Sequence, residues 1–176
     1  PVNTSGVPTE QPFCTPITDE PGGLVDKFMN ADSASTHVEF MGAVLKAQGT
    51  DEYVATFPWR DRTSIVAVLD EFPRRAEGGP HLPAGFYIDG FYAVTHARPA
   101  QLPAQQDWLY KNFFTPAELA ALITQSRQPD ERRAASRGLT LYKRTPTKAL
   151  LRYTCSGSAA ETALMADNGE TLQKAL

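Results

Sequence analysis

The chain has 176 residues, 41% of them hydrophobic and 21% charged, with a formal net charge of −3 and a pI near 5.6. That length suits one domain able to bury about 70% of its unfolded surface, so neither a metal nor a disulfide is needed for folding. No run of 18 apolar residues occurs, which excludes a membrane-spanning helix, and the acidic balance argues against nucleic acid as the partner.

Pro1–Pro21 is rich in Pro, Thr and Ser and has no hydrophobic period. It reads as an extended arm, followed by a single domain over residues 22–176. The arm lacks the apolar centre of a signal peptide but fits what would follow one. Leu24–Met29 reads as a short helical turn. Ser33–Gln48 places Val38, Met41 and Leu45 at helical spacing, with Asp32 or Ser33 to cap its start and Gly49 its end, and is predicted to be a helix. Tyr53–Phe57 is aromatic and β-branched, hence a strand, and Pro58–Asp61 is a turn. Ser64–Leu69 fits either a buried strand or a helix over Arg62–Phe72 capped by Asp61. Ile65, Val66 and Val68 are β-branched and favour the strand. Arg74–Pro83 is a polar Gly/Pro loop.

Gly85–Ala97 is the densest aromatic stretch. It forms either a hairpin turning at Asp89-Gly90 or one strand in which Gly90 marks a bulge or a close backbone approach. As one strand, Tyr87, Asp89, Phe91 and Thr95 share a face, and Phe86, Ile88, Tyr92, Val94 and His96 share the other. Pro99–Pro103 is a linker and Gln105–Phe114 is helical in pattern. Thr115-Pro116-Ala117-Glu118 then spells a helix start, with Thr115 as N-cap, Pro116 at the first helical position and Glu118 completing a capping box. Leu119, Leu122 and Ile123 form that helix's apolar face. Leu139–Arg144 and Ala149–Cys155 alternate as strands. Ser158–Leu176 is helical, broken at Asn168-Gly169. Helices come in blocks and do not alternate with strands. The expected fold is therefore α+β, a mostly antiparallel sheet of about five strands packed by three to four helices.

The charge is unevenly placed. Arg127–Arg152 holds eight basic residues against two acidic ones, a local charge of +6 inside an acidic protein. Such a block marks a site for something anionic. Arg132, Arg133, Arg137, Arg144 and Arg152 are candidates for an anion clamp, because guanidinium forks grip carboxylate or phosphate with two hydrogen bonds. Strand alternation sets Tyr142 and Arg144 on one face and Lys143 on the other. The bland alternative is a solvated basic face balanced by the acidic N-terminal part. Asp89, flanked by aromatic residues, is a candidate general acid or base with His96 as its partner. Trp59, Phe86, Tyr87, Phe91 and Tyr92 would line the pocket, and a turn aspartate before Gly90 is the plain alternative. His37, His81 and His96 have no metal-ligand spacing. Gly138–Arg144 is similar to the first core strand of ADP-ribosyltransferases over fewer than ten residues. Lys143 stands in the arginine's place and no Glu-x-Glu pair follows, so the resemblance is set aside.

Two cysteines are present. Pairing of Cys14 with Cys155 would close a loop of about 140 residues and tie the arm to the body, stabilising the fold by roughly 4–5 kcal/mol in the loop-entropy model. An oxidising compartment, secreted or periplasmic, would follow. No nucleophile elbow, phosphate loop or dinucleotide fingerprint occurs, and no cofactor is implied. The leading expectation is an exported binding or effector-type domain that engages an anionic ligand or an acidic protein surface through the basic region. A small hydrolase or lyase using Asp89 and His96 is the alternative, and a structural or assembly subunit the third.

Overall fold

β1 (Phe40–Ala47) is the strand on which the sheet is organised. The structure, a computed structural model, describes residues 40–50, 52–56, 58–60, 64–94, 113–130, 132–134, 137–144 and 150–166. The arm, the turn at Leu24–Met29, His37, His96, nearly all of the expected helix Gln105–Phe114 and the Asn168-Gly169 break lie outside them. Phe113 and Phe114 precede the N-cap outside any helix.

The expected helix at Ser33–Gln48 is corrected over its second half, where β1 is extended. The strand is paired along both edges, antiparallel throughout: with β2 (Tyr53–Ala55) and β3 (Trp59–Arg60) on one side and β4 (Phe86–Val94) on the other. Met41, Ala43 and Leu45 enter the core while Val44 is buried on the opposite face. A strand buried on both faces shows no alternation, so Met41 and Leu45 read as helical spacing. Gly42 permits this packing, since a Cβ there would lie 2.3 Å from the Tyr92 ring. The turn expected at Pro58–Asp61 is likewise corrected, because Trp59 and Arg60 pair with Met41 and Phe40.

Ser64–Leu69 is not a strand. Ile65–Asp70 forms a helix, α1, whose N-cap Ser64 accepts a hydrogen bond from the Ala67 amide. Ile65, Val68 and Phe72 are buried while Val66 is 63% exposed, a spacing only a helix produces. The cap and the buried stripe override the β-branched preference.

β4 is one strand, not a hairpin. It pairs in parallel with β5 (Thr140–Arg144), which pairs antiparallel with β6 (Leu150–Thr154). The sheet order is β2-β1-β4-β5-β6, with β3 also on β1. A parallel neighbour requires a crossover, and α2 (Pro116–Ser126) lies within it. Thr115 and Glu118 make the expected capping box. The Glu118 carboxylate also meets Lys143 Nζ at 2.9 Å, and that ammonium donates to the Phe113 carbonyl at 2.7 Å. Lys143 has no exposed surface, so this charge-assisted set fastens β5 to the start of α2.

α1, α2 and α3 (Ala159–Ala166) share one core with the sheet. Ile65, Val68, Leu119, Leu122, Ile123 and Leu164 pack with Met41, Leu45, Ile88, Phe91, Leu139 and Leu141. The sheet face turned from the helices carries Val44, Tyr53, Tyr92, Val94, Thr140, Tyr142, Arg152 and Thr154. The result is the expected α+β arrangement, with four antiparallel pairings and one parallel.

Candidate functional site

A bulge in β4 creates the site. Val44 pairs with Gly90 and Leu45 with Ile88, so Asp89 is an extra residue with no partner across the ladder. The insertion resets the parity of the strand. Ile88 and Phe91 both enter the core, which corrects the expected face assignment, while Asp89 turns to the face without helices. Gly90 is pressed against β5, and a Cβ there would lie 2.1 Å from the Thr140 carbonyl oxygen. The bulge and the close approach expected of Gly90 therefore occur together.

The Asp89 side chain is 6% exposed. Its Oδ1 accepts from Arg137 Nε at 2.6 Å, and Arg137 Nη2 donates to the Tyr53 hydroxyl at 3.2 Å. The bond to Asp89, ahead of the opposing effect of burial, holds the guanidinium pKa above its ordinary value. Arg137 therefore stays cationic. Tyr87, buried beside the pair, has its phenol pushed upward, first by burial. Lys46 Nζ lies 5.7 Å from the centre of the Tyr53 ring.

Tyr53, Asp89 and Arg137 line a cavity of about 310 Å³. Its walls are Tyr53 from β2, Asp89 from β4, Thr140 and Tyr142 from β5, and Arg152 and Thr154 from β6, closed by Arg137, Gly138 and Cys155. The hydroxyls of Thr140 and Thr154 are hydrogen-bonded at 2.9 Å. Strand alternation places Tyr142 and Arg144 as expected, opposite Lys143.

A second cavity, about 540 Å³, lies on the far side of Arg137, Gly138 and Cys155. Ser126, Arg127, Asp130, Arg133 and Glu161 contribute to it. Arg127 donates to the Thr162 hydroxyl at 3.3 Å, whereas Arg133 and, nearby in sequence, Arg132 serve the backbone. Arg133 donates to the carbonyls of Ser126, Gln128 and Arg137, each at 3.1 Å. Arg132 donates to the Phe86 carbonyl at 2.9 Å. Glu161 accepts from the Tyr153 hydroxyl at 2.7 Å and from the amides of Ser156 and Gly157 at 2.7 and 2.8 Å. Burial opposes its charge, yet those hydrogen bonds together hold its pKa below the ordinary carboxylate value.

Of the residues anticipated for anion binding, Arg137, Tyr142 and Arg152 converge on the smaller cavity. Arg132 and Arg133 instead organise the segment after α2, and Arg144 is half-buried further along β5. The anticipated aromatic lining is not assembled in one place. Trp59 meets Phe72 in a tilted ring contact at 5.7 Å, and Trp59, Phe86 and Phe91 belong to the core on the helix side. Tyr92 is fully buried on the opposite face, where its hydroxyl donates to the Thr56 carbonyl. Asp89 has Arg137, not a histidine, as its partner among the described residues, and His81 is exposed. Cys155 is buried, with no disulfide among the described residues. Cys14, its expected partner, lies outside them. Burial, then the Glu161 charge, pushes the Cys155 thiol up to about 11.

The sequence reading missed Tyr53, Gly138, Thr140 and Thr154. Tyr53 and Arg137 are 84 residues apart, and only sheet pairing unites them. No group of three metal-ligating side chains occurs among the described residues, nor does a helix long and apolar enough to cross a membrane. No protein-family model, curated protein or solved structure matches the chain.

Proposed function

We propose that this is a binding domain that takes a small anionic ligand in the cavity between β2 and β6, using the basic stretch. The observation that carries the proposal is the convergence of Arg137, Tyr142 and Arg152, three residues of that stretch, on one polar cavity of about 310 Å³. That volume suits a small molecule. A ligand carboxylate about 4 Å from a guanidinium gains about 4 kcal/mol at an effective dielectric of about 20, before the cost of desolvation. The hydroxyls of Tyr53, Thr140 and Thr154 are at hand to orient it. An acid–base enzyme is less well supported, since arginine does not give up its proton in proteins and so cannot exchange one with Asp89.

Export belongs to the same proposal. A buried thiol with a raised pKa is a poor nucleophile, which leaves packing or a disulfide to Cys14 as the use of Cys155.

The test is ligand-dependent thermal stabilisation by citrate, in the native protein and in Arg152→Ala. Multivalent anions stabilise proteins non-specifically, so the difference between the two proteins is what counts. The expected result is apparent citrate affinity at least tenfold weaker in the variant. Identical citrate dependence in both would contradict the proposal.

A further inference from the structure

The ion pair in the cavity is only half closed. A carboxylate and a guanidinium that serve stability alone close best with two parallel hydrogen bonds. Here Arg137 Nε meets Asp89 Oδ1 at 2.6 Å, but Nη2 turns to the Tyr53 hydroxyl at 3.2 Å. Asp89 Oδ2 therefore accepts from nothing, and Arg137 Nη1 donates to nothing, among the described residues. Neither atom is sealed in the protein interior, and both residues line the cavity. The cavity thus offers a negative and a positive group side by side.

A pocket for a simple anion gains nothing from a carboxylate in its wall, which repels the ligand at short range. Moreover, the backbone itself brings this carboxylate in. The bulge that turns Asp89 out of the core requires Gly90 against the Thr140 carbonyl, and bulges of this kind re-aim a side chain at a functional position.

We propose that the ligand is a small zwitterion, a free α-amino carboxylate, with its carboxylate on Arg137 and its ammonium on Asp89. The inference rests on the binding reading above and names the ligand class of that same cavity. Asp89 is then the residue that sets specificity: it accepts from the ligand's ammonium and holds Arg137 to receive the carboxylate. The cavity volume matches this class, with Tyr142 and the hydroxyls of Thr140 and Thr154 left to contact the side chain.

The experiment is calorimetric titration of the intact protein with free amino acids, their N-acetyl derivatives and the matching amines and simple carboxylates. The expected result is that at least one free amino acid binds, and that N-acetylation or removal of the amino group weakens it at least tenfold. Asp89→Asn should lose the preference for the free amino group and retain binding of the N-acetyl compound. If simple carboxylates or N-acetyl derivatives bind the native protein as tightly as free amino acids, the zwitterion proposal is overturned and the anion-binding reading stands. If no carboxylate of any kind binds, both are overturned. The comparison among ligands uses the native protein, so it remains decisive even where Asp89→Asn fails to fold.

Discussion

Gly90→Ala should damage the fold and the cavity together. A Cβ at this position would lie 2.1 Å from the Thr140 carbonyl oxygen, where ordinary contact begins near 3.4 Å. The obstacle is backbone, so relief requires β4 and β5 to part by about 1.3 Å, or the bulge to be rebuilt. The pairing at risk runs from Gly90↔Thr140 to Val94↔Arg144 in the middle of the sheet. Overpacking alone costs about 1–3 kcal/mol, and each buried backbone group left without its hydrogen bond adds about 1–3 kcal/mol. The expected loss is therefore about 3–5 kcal/mol, out of a total stability on the order of 5–15 kcal/mol. For a chain of this size that corresponds to roughly 6–20 °C in Tm. Urea denaturation with a thermal melt measures it, with Gly79→Ala as the control. Gly79 has positive φ, and a methyl added there would meet nothing within 4 Å, so only backbone strain of about 1 kcal/mol applies. A Gly90→Ala loss below about 1 kcal/mol, or one no larger than the control's, would show that the contact with β5 is not what holds the bulge.

Three further outcomes are expected. Thr115→Ala removes the α2 cap and should cost about 1 kcal/mol, or a few degrees in a thermal melt, while Thr115→Ser should restore most of it; equal stability of all three proteins would show that the capping box contributes nothing. Glu161 has a folded pKa below its ordinary 4.5, so its contribution is present above that value and is lost as pH falls through the lowered one. Glu161→Gln should thus be less stable at neutral pH by about 1–2 kcal/mol, the gap narrowing below pH 4.5; a gap constant with pH in urea titrations would contradict the assignment. The Cys155 thiol, pushed up from 9.0 to about 11, favours the fold fully below pH 9 and loses that contribution as pH rises toward 11. In Cys14→Ser, native Cys155 should react with Ellman's reagent near neutral pH far more slowly than after denaturation, and equal rates would contradict its burial.

The fold is legible where its signals are local. Thr115-Pro116-Ala117-Glu118 is a complete helix start within four residues, and the alternation of Leu139–Arg144 and Ala149–Cys155 marks β5 and β6. β1 reads as helix in the sequence because a strand buried on both faces loses its period. α1 reads as strand because β-branched preference masks the Ser64 cap and the Ile65, Val68, Phe72 stripe. The site is half legible. Charge points to Arg137 and Arg152, position within the basic stretch adds Tyr142, and the aromatic surroundings point to Asp89. The parity of β4 is not legible, since a bulge is defined by the partner strand. Nor is the contribution of Tyr53, Thr140 and Thr154, which pairing alone brings to Arg137.

Whether the cavity at Asp89 and Arg137 takes an anionic ligand is decided by a two-dimensional amide NMR titration. The probe is sodium acetate, against sodium chloride at matched ionic strength. Binding there should give saturable shifts clustered at Tyr53, Asp89, Gly138, Thr140 and Thr154. Shifts that are absent, or that cluster instead around Arg127, Asp130 and Glu161, would contradict it.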